Sequence, residues 1–143
     1  MQNVINNLPD GSKYVLDSYA LLAYLKDEPS SDQIGKLFDA AKEGNCHLYL
    51  CVANLGEVLY IVERERRQAQ DRLTIIDELP IEIVEAGRAL TLAASHLKAD
   101  YPIAYADCFA AALAQVKGAL LITGDPEFRK IKPASNLHIE WLA

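Results

Sequence analysis

Three acidic residues follow apolar runs of the chain, in positions where metal chemistry is common. Asp17 follows the apolar run 14–16, and Asp125 follows the run 120–123 after one glycine. Glu57 lies in the first turn of a helical stretch that follows a third apolar run. Ligands of open parallel sheets bind beyond the carboxyl ends of the strands, so we expect these three acids to meet at one sheet edge.

A fourth acid, Asp107, has a different setting. It lies inside an alanine-rich segment, 103–117, that is apolar on every side when drawn as a helix. Such a helix is expected to be buried, and a buried aspartate needs a partner for its charge. Neither a cation nor a helix cap close in sequence explains it, so Asp107 is the acid with the weakest purely structural explanation.

The other three acids also have structural explanations. Asp17 suits the N-cap of the helix that follows it, and Asp125 suits an N-cap with Pro126 at the first helical position. Glu57 could close a capping box with Asn54, three residues earlier. A cap residue at a strand end can still direct an oxygen into the crevice, so the hypothesis depends on the four acids occurring together.

Four converging carboxylates would require a cation. At a separation of about 6 Å and an effective dielectric of about 20, each pair of ionised carboxylates repels by roughly 3 kcal/mol. Either some of them bind protons or a divalent cation lies among them, and oxygen ligands without nearby His or Cys suit Mg²⁺ or Mn²⁺. Such a site activates water and stabilises charge on a phosphodiester, which predicts metal-assisted phosphoryl transfer.

The elements that would position these acids alternate between strands and helices. Residues 1–13 read as an irregular lead-in, and 14–143 as one domain. Strands are predicted over 14–16, 47–52, 81–84, 119–123 and 137–142, and helices over 18–26, 30–44, 54–79, 86–98 and 103–117. This order predicts an α/β fold with three layers, in which helices flank a central, mainly parallel sheet.

Composition narrows the class of protein. The 143 residues suit a single globular domain, and no apolar run is long enough to cross a membrane. The amino-terminal residues lack the pattern of an export signal, so we expect a cytoplasmic protein. The three cysteines lie in apolar stretches without a CxxC pair and are expected to be core thiols. A net charge of −6 argues against broad nucleic-acid binding, unless a bound cation reverses the local sign.

Four segments together resemble the PIN-domain family, particularly VapC-type toxin ribonucleases of toxin–antitoxin systems. The resemblance covers about residues 14–142. The segments are Val15-Leu16-Asp17-Ser18, Asn54-Leu55-Gly56-Glu57-Val58, Tyr105-Ala106-Asp107-Cys108-Phe109-Ala110-Ala111-Ala112-Leu113-Ala114 and Leu121-Ile122-Thr123-Gly124-Asp125-Pro126-Glu127-Phe128.

The resemblance implies a Mg²⁺- or Mn²⁺-dependent endoribonuclease. Asp17, Asp107 and Asp125 match the acids that approach the metal directly or through water, and Glu57 matches one that binds a second metal or positions the attacking water. Members of this type usually form homodimers and are held inactive by a cognate antitoxin protein.

Other polar residues near these segments have two interpretations each. Ser18 and Thr123 match small hydroxyl residues that could orient the carboxylates, or they are ordinary helix-start and turn residues. Arg129 and Lys130 are candidate RNA phosphate contacts, or part of a solvated surface. A second basic cluster, Arg64, Arg66, Arg67 and Arg72, is expected to pair with acids along its helix. Tyr19, Tyr105 and Phe128 could stack on bases, although packing is the expected role.

Two other classes of protein stay open at this point. A receiver-like signalling domain also gathers acids at strand ends, but it requires adjacent acids after the first strand and a late Lys, and here Asp17 is followed by Ser18. A PIN-like RNA-binding or scaffolding subunit without turnover would carry the same acids. An activity assay separates the second alternative from an enzyme.

Overall fold

The computed structural model describes residues 11–66, 69–132 and 135–143. Within them the strands are β1 (Ser12–Leu16), β2 (Cys46–Cys51), β3 (Glu82–Val84), β4 (Leu120–Thr123) and β5 (Ile139–Trp141). The helices are α1 (Ser18–Leu25), α2 (Ser31–Lys42), α3 (Val52–Arg66), α4 (Ala69–Asp77), α5 (Arg88–Asp100) and α6 (Tyr105–Lys117), and a 3₁₀ helix, η1, spans Pro126–Lys130.

The five strands form one sheet in the order β3-β2-β1-β4-β5, and every neighbouring pair is parallel. Parallel strands share a direction, so all their carboxyl ends lie at one edge. The predicted mainly parallel sheet is therefore confirmed, and here it is wholly parallel. The chain adds β2 and β3 on one side of β1, and then β4 and β5 on the other side. In open α/β sheets the ligand crevice lies where the direction of strand addition changes, which here is beside the carboxyl end of β1.

Two hydrophobic clusters cover the two faces of the sheet, as the pleat requires. Val15 and Leu121 pack with α5 and α6 on one face, whereas Leu16 and Ile122 pack with α1 to α4 on the other. Successive residues of one strand thus enter different clusters. This gives the predicted three layers, and it explains why the strands read as continuous apolar runs.

One predicted helix is divided in the structure. The stretch 54–79 was expected to be a single helix, but α3 ends at Arg66 and α4 begins at Ala69. The amide of Ala69 donates to the Glu63 carboxylate at 3.3 Å, so an acidic side chain caps the start of the second helix. The basic cluster predicted on one helix is divided between two, and its member Arg67 lies outside the described residues.

Two predicted helix starts also differ. The sequence Ser30-Ser31-Asp32-Gln33 predicts a capping box at the start of α2, but the Ser30 side chain makes no capping hydrogen bond. Asn54 lies inside α3 rather than before it, so it cannot be the cap that Glu57 was expected to complete. Asn54 differs because its amide donates to Ser18 and to the carbonyl of Ala106, which are distant in sequence, and not to a group of its own helix.

The start of the fold is close to its predicted position. Strand β1 begins at Ser12, two residues before the predicted Tyr14, and residues 1–10 of the expected lead-in lie outside the described part. Across the described ranges, we find no helix that combines the length and the apolar character required to span a bilayer.

Candidate functional site

Asp17 lies at the carboxyl end of β1 and is buried, with 1% of its surface exposed. It is the N-cap of α1, as predicted, because its Oδ1 accepts a hydrogen bond from the Ala20 amide at 2.8 Å. Its Oδ2 accepts one from the Thr123 hydroxyl of β4. The pKa of Asp17 is raised to about 7: burial is the largest cause, the two hydrogen bonds lower the pKa, and the charges of Asp107 and Asp125 raise it.

Asp107 lies in the first turn of α6 and is 6% exposed. No residue in the described ranges donates a hydrogen bond to its carboxylate. Burial raises the pKa of Asp107 to about 7, and the charges of Asp125, Glu57 and Glu127 contribute in the same direction. Among the described residues no cation pairs with the Asp107 carboxyl, and the charges that raise its pKa belong to Asp125, Glu57 and Glu127.

Asp125 is joined to Asp17 through a shared hydroxyl. The Asp125 amide donates to Thr123 Oγ1 at 3.0 Å, and that hydroxyl donates to Asp17. Asp125 also caps η1, because its Oδ1 accepts from the Glu127 amide at 3.0 Å, as the sequence predicted. The turn between Thr123 and Asp125 requires Gly124, since a Cβ there would overlap the ring of Tyr19.

Asn54 is the polar residue that holds α3 against the other helices of the site. It is fully buried, and its Nδ2 donates to Ser18 Oγ at 3.0 Å and to the carbonyl of Ala106 at 3.1 Å. These bonds fix α3, which carries Glu57, relative to α1 and α6. Ser18 in turn donates to the Asn54 carbonyl at 3.4 Å, so its hydroxyl orients Asn54 rather than a carboxylate.

Two residues of this region were not predicted as site residues. The charge of Glu127 raises the pKa of Asp107. The feature of the sequence that could have indicated Glu127 is its position two residues after Asp125. Asn54 was interpreted as a helix cap. Its distinguishing signal, a polar side chain on the buried face of a helix, appears only once the helix start at Val52 is known.

The donor set of these residues fits a hard divalent cation. Among the described residues, no three His, Cys, Asp or Glu side chains lie close enough together to hold a metal ion by themselves. Mg²⁺, however, keeps several of its waters and takes only one or two carboxylates directly, so more widely spaced acids can still reach it through water. Carboxylate repulsion opposes closer approach, and a cation would remove that repulsion.

The predicted basic and aromatic residues lie around η1 and α1. Lys130 pairs with Glu127 at 3.0 Å, and the Arg129 guanidinium lies 4.3 Å from the centroid of the Trp141 ring. Phe128 is buried and packs in the core, as expected. The other two predicted aromatic residues are exposed: Tyr19 lies over Gly124, and the ring of Tyr105 stacks on Phe109 at 5.1 Å.

Comparison with solved structures gives matches over nearly the whole chain. VapBC2 from Rickettsia felis, solved bound to a DNA fragment from their promoter, is 24% identical, with 92% of this chain and 99% of that chain covered and a TM-score of 0.71. A toxin–antitoxin complex from Klebsiella pneumoniae is 15% identical, with coverages of 82% and 92% and a TM-score of 0.63.

VapC20 from Mycobacterium tuberculosis, a sarcin–ricin loop cleaving toxin, is 14% identical, with 92% of this chain and 100% of that chain covered and a TM-score of 0.67. At these identities the matches establish the fold. Comparison with the sequences of curated proteins gives no significant match.

A family model supplies the sequence-level evidence. The model of the PIN domain matches residues 14–133, which include the four acids and the strands β2, β3 and β4 in full. Sequence, sheet order and solved structures agree, and the chain therefore belongs to the PIN domain family.

Proposed function

We propose that this protein is a metal-dependent endoribonuclease that hydrolyses RNA phosphodiester bonds, as the toxin of a VapBC-type toxin–antitoxin pair. The observation that carries the proposal is the convergence of negative charge on two buried carboxyls. Asp17 and Asp107 are 90 positions apart in the chain, yet the charge of Asp125 raises the pKa of both. Bringing these negative charges together costs free energy when no cation is bound. This cost favours a cation-binding role for the acids.

Asp17, Asp107 and Asp125 would hold Mg²⁺ or Mn²⁺, and Glu57 would bind a second ion or position the attacking water. A bound ion would supply polarisation of the phosphodiester and neutralisation of the developing negative charge. The protein's own contribution is orientation. Thr123 fixes the Asp17 carboxylate and the Asp125 amide at once, which limits how far either can rotate.

Burial also determines how this site exchanges protons. Near neutral pH, Asp17 and Asp107 are divided between the protonated and ionised forms, since the pKa of each lies at about 7. Both values belong to the metal-free protein. Glu57, half-buried on α3, is one of the charges that raise the pKa of Asp107, and it would position the attacking water.

The proposed partners follow from the family and from surface charge. Arg129 and Lys130 lie on η1 beside Asp125 and would contact RNA phosphate. The Klebsiella pneumoniae neighbour is a toxin–antitoxin complex, which supports a cognate antitoxin for this chain. We also propose that the protein forms a homodimer and that it acts on RNA in the cytoplasm.

The decisive test is cleavage of a mixed RNA pool by purified, antitoxin-free protein with Mn²⁺, with Mg²⁺ and with EDTA. The matched variants are Asp107→Asn and Asp39→Asn, which remove one buried and one exposed carboxylate. We expect metal-dependent cleavage that Asp107→Asn abolishes and Asp39→Asn retains.

The opposite outcomes separate the alternatives. Folded protein that binds RNA and cleaves none under any metal condition would favour a PIN-like binding or scaffolding subunit. Cleavage that persists in EDTA, or in Asp107→Asn, would contradict the metal role of these acids.

A further inference from the structure

Arg129 and Trp141 form a pair on the β5 side of the acids Asp17, Glu57, Asp107 and Asp125, which we call the acid cluster. The guanidinium carbon of Arg129 lies 4.3 Å from the centroid of the Trp141 ring, within the range of a cation–π interaction. Arg129 is exposed and Trp141 is half-buried. Within the described ranges no carboxylate forms an ion pair with Arg129, so its charge is held in place without being neutralised.

Sheet register places this pair beside the acids. Thr123 of β4 is the direct partner of Trp141 of β5, and the same Thr123 donates its hydroxyl to Asp17. Partners in neighbouring parallel strands present side chains on the same face, so the three residues form a row across the sheet edge. Two strand spacings, about 10 Å, separate the ends of this row.

Lys130 is the neighbouring cation, and its environment differs. It pairs with Glu127 at 3.0 Å, and Glu127 is one of the acids that act on Asp107. Lys130 thus offsets a negative charge of the protein itself, and it would contact RNA phosphate only by giving up this ion pair. Of the two cations at the end of η1, Arg129 is the one without a carboxylate partner in the described part of the chain.

We propose that Arg129, held by Trp141, binds a phosphate of the RNA strand on the β5 side of the acid cluster, and that Trp141 is its positioning residue. This inference rests on the proposed function and specifies how RNA is held there. A protein of net charge −6 needs a cation that is not already neutralised in order to attract a polyanion.

Stacking suits this task because of the shape of the guanidinium. The Trp141 ring covers one flat face of the group, and the N–H donors at its edge stay free for phosphate oxygens. The ring also restricts the rotamers of a long side chain before RNA binds, which reduces the entropy lost on binding. Replacing Trp141 should therefore weaken RNA binding although no charge is removed.

The experiment measures binding separately from cleavage. A short, fluorescently labelled single-stranded RNA of mixed sequence is titrated in EDTA by anisotropy, at several salt concentrations. The variants are Arg129→Gln, Trp141→Leu and Trp141→Phe. The matched control is Lys42→Gln, which makes the same charge change at the end of α2, before β2 and thus at the opposite sheet edge.

We expect Arg129→Gln to weaken binding about tenfold and to lower the salt slope by about one. Trp141→Leu should weaken binding about threefold, Trp141→Phe should retain most of it, and Lys42→Gln should change it less than twofold. In cleavage assays Arg129→Gln should raise KM more than it lowers kcat. Trp141 is the single tryptophan of the chain, so its emission should also respond to RNA and change in Arg129→Gln.

Three results would overturn the inference. Equal effects of Arg129→Gln and Lys42→Gln would mean that only net charge matters. Normal RNA affinity in Trp141→Leu would refute the positioning role of Trp141. If Trp141→Leu does not fold, Trp141→Phe decides: a loss of RNA affinity as large as that of Arg129→Gln would refute the same role. Metal-dependent cleavage with unchanged KM in Arg129→Gln would refute this phosphate site alone, whereas RNA binding that follows the expected pattern without any cleavage would refute the proposed hydrolysis alone.

Discussion

The two buried carboxyls make the metal-free protein sensitive to pH. The pKa of Asp107 is raised by burial to about 7 in the folded state, from 3.8 in an unfolded chain. Between these values the folded state retains a proton that the unfolded state has released. Stability is therefore highest at the acidic end of this window and is lost as pH rises through it, by up to about 1.4 kcal/mol per pH unit for such a group.

Asp107→Asn should remove the part of this pH dependence that Asp107 contributes, and Asp17 should retain its own part. We expect the variant to fold and, in EDTA, to gain stability over the wild-type protein as pH rises from about 5 to 8, because the asparagine has no charge to bury. Urea unfolding across this range measures the difference, with Asp39→Asn as the control for an exposed carboxylate. A difference between variant and wild type that stays flat with pH would contradict the raised pKa.

Thr123 gives a second prediction at the scale of one residue. Its hydroxyl lowers the pKa of Asp17 and also accepts the Asp125 amide. Thr123→Val removes both contacts while nearly preserving volume, so we expect activity to fall about 10- to 100-fold. The acidic limb of the pH–activity profile should move to higher pH, because Asp17 then holds its proton more tightly.

The conservative variant provides the control. Thr123→Ser keeps the hydroxyl and should retain most of the activity and the original acidic limb. If Thr123→Val keeps the activity and the acidic limb of the wild-type protein, the hydrogen bonds of Thr123 do not orient the site.

At the scale of elements, the site depends on how three helices are joined. Asn54 of α3 reaches Ser18 of α1 and the carbonyl of Ala106 in α6, next to Asp107. Asn54→Ala removes both hydrogen bonds and leaves a small cavity, and we expect a loss of about 2–3 kcal/mol in the free energy of unfolding. Chemical denaturation measures this loss.

A matched change elsewhere distinguishes this role from a general effect of losing an amide. Asn45 is exposed, and Asn45→Ala should change stability by less than about 0.5 kcal/mol. The shift of melting temperature on adding Mn²⁺ should also shrink in Asn54→Ala, because Glu57 and Asp107 lose their fixed relative position. An unchanged metal response would limit Asn54 to a structural role.

At the scale of the whole molecule, acidic charge is concentrated where the sheet order reverses. Adding Mn²⁺ at about one hundred times its dissociation constant should stabilise the wild-type protein by about 2.7 kcal/mol. For a domain of this size, that corresponds to a rise in Tm of about 8 °C. Asp107→Asn should lose most of this rise, and Asp39→Asn should keep it. Equal shifts in all three proteins would mean that the ion only screens the net negative charge.

Much of the fold was predictable because its signals are local. Apolar runs mark strands buried on both faces, and helical periodicity marks the segments between them. The division of the stretch 54–79 into α3 and α4 was not predictable in this way, since it depends on a contact between Glu63 and the amide of Ala69.

The residues of the candidate site likewise divide into those that local sequence patterns predicted and those that depend on contacts between distant elements. Asp17 and Asp125 were predicted both as caps and as site residues; the structure confirms the two caps, and their metal role stays a prediction. Asn54 was assigned the wrong partner, because the burial of a polar side chain against distant helices leaves no local pattern. Glu127 was passed over because its effect on Asp107 operates through space between separate elements.

By itself, the sequence determined which residue types stand at the strand ends, and hence that acids would face one edge of a parallel sheet. Only the tertiary structure decided the row of Asp17, Thr123 and Trp141, and which of Arg129 and Lys130 is neutralised. The reason is physical. Hydrophobic periodicity is a property of one helix or strand and can be read from neighbouring residues. The hydrogen bond from Thr123 to Asp17 joins residues 106 positions apart, so it forms only when the strand register is fixed.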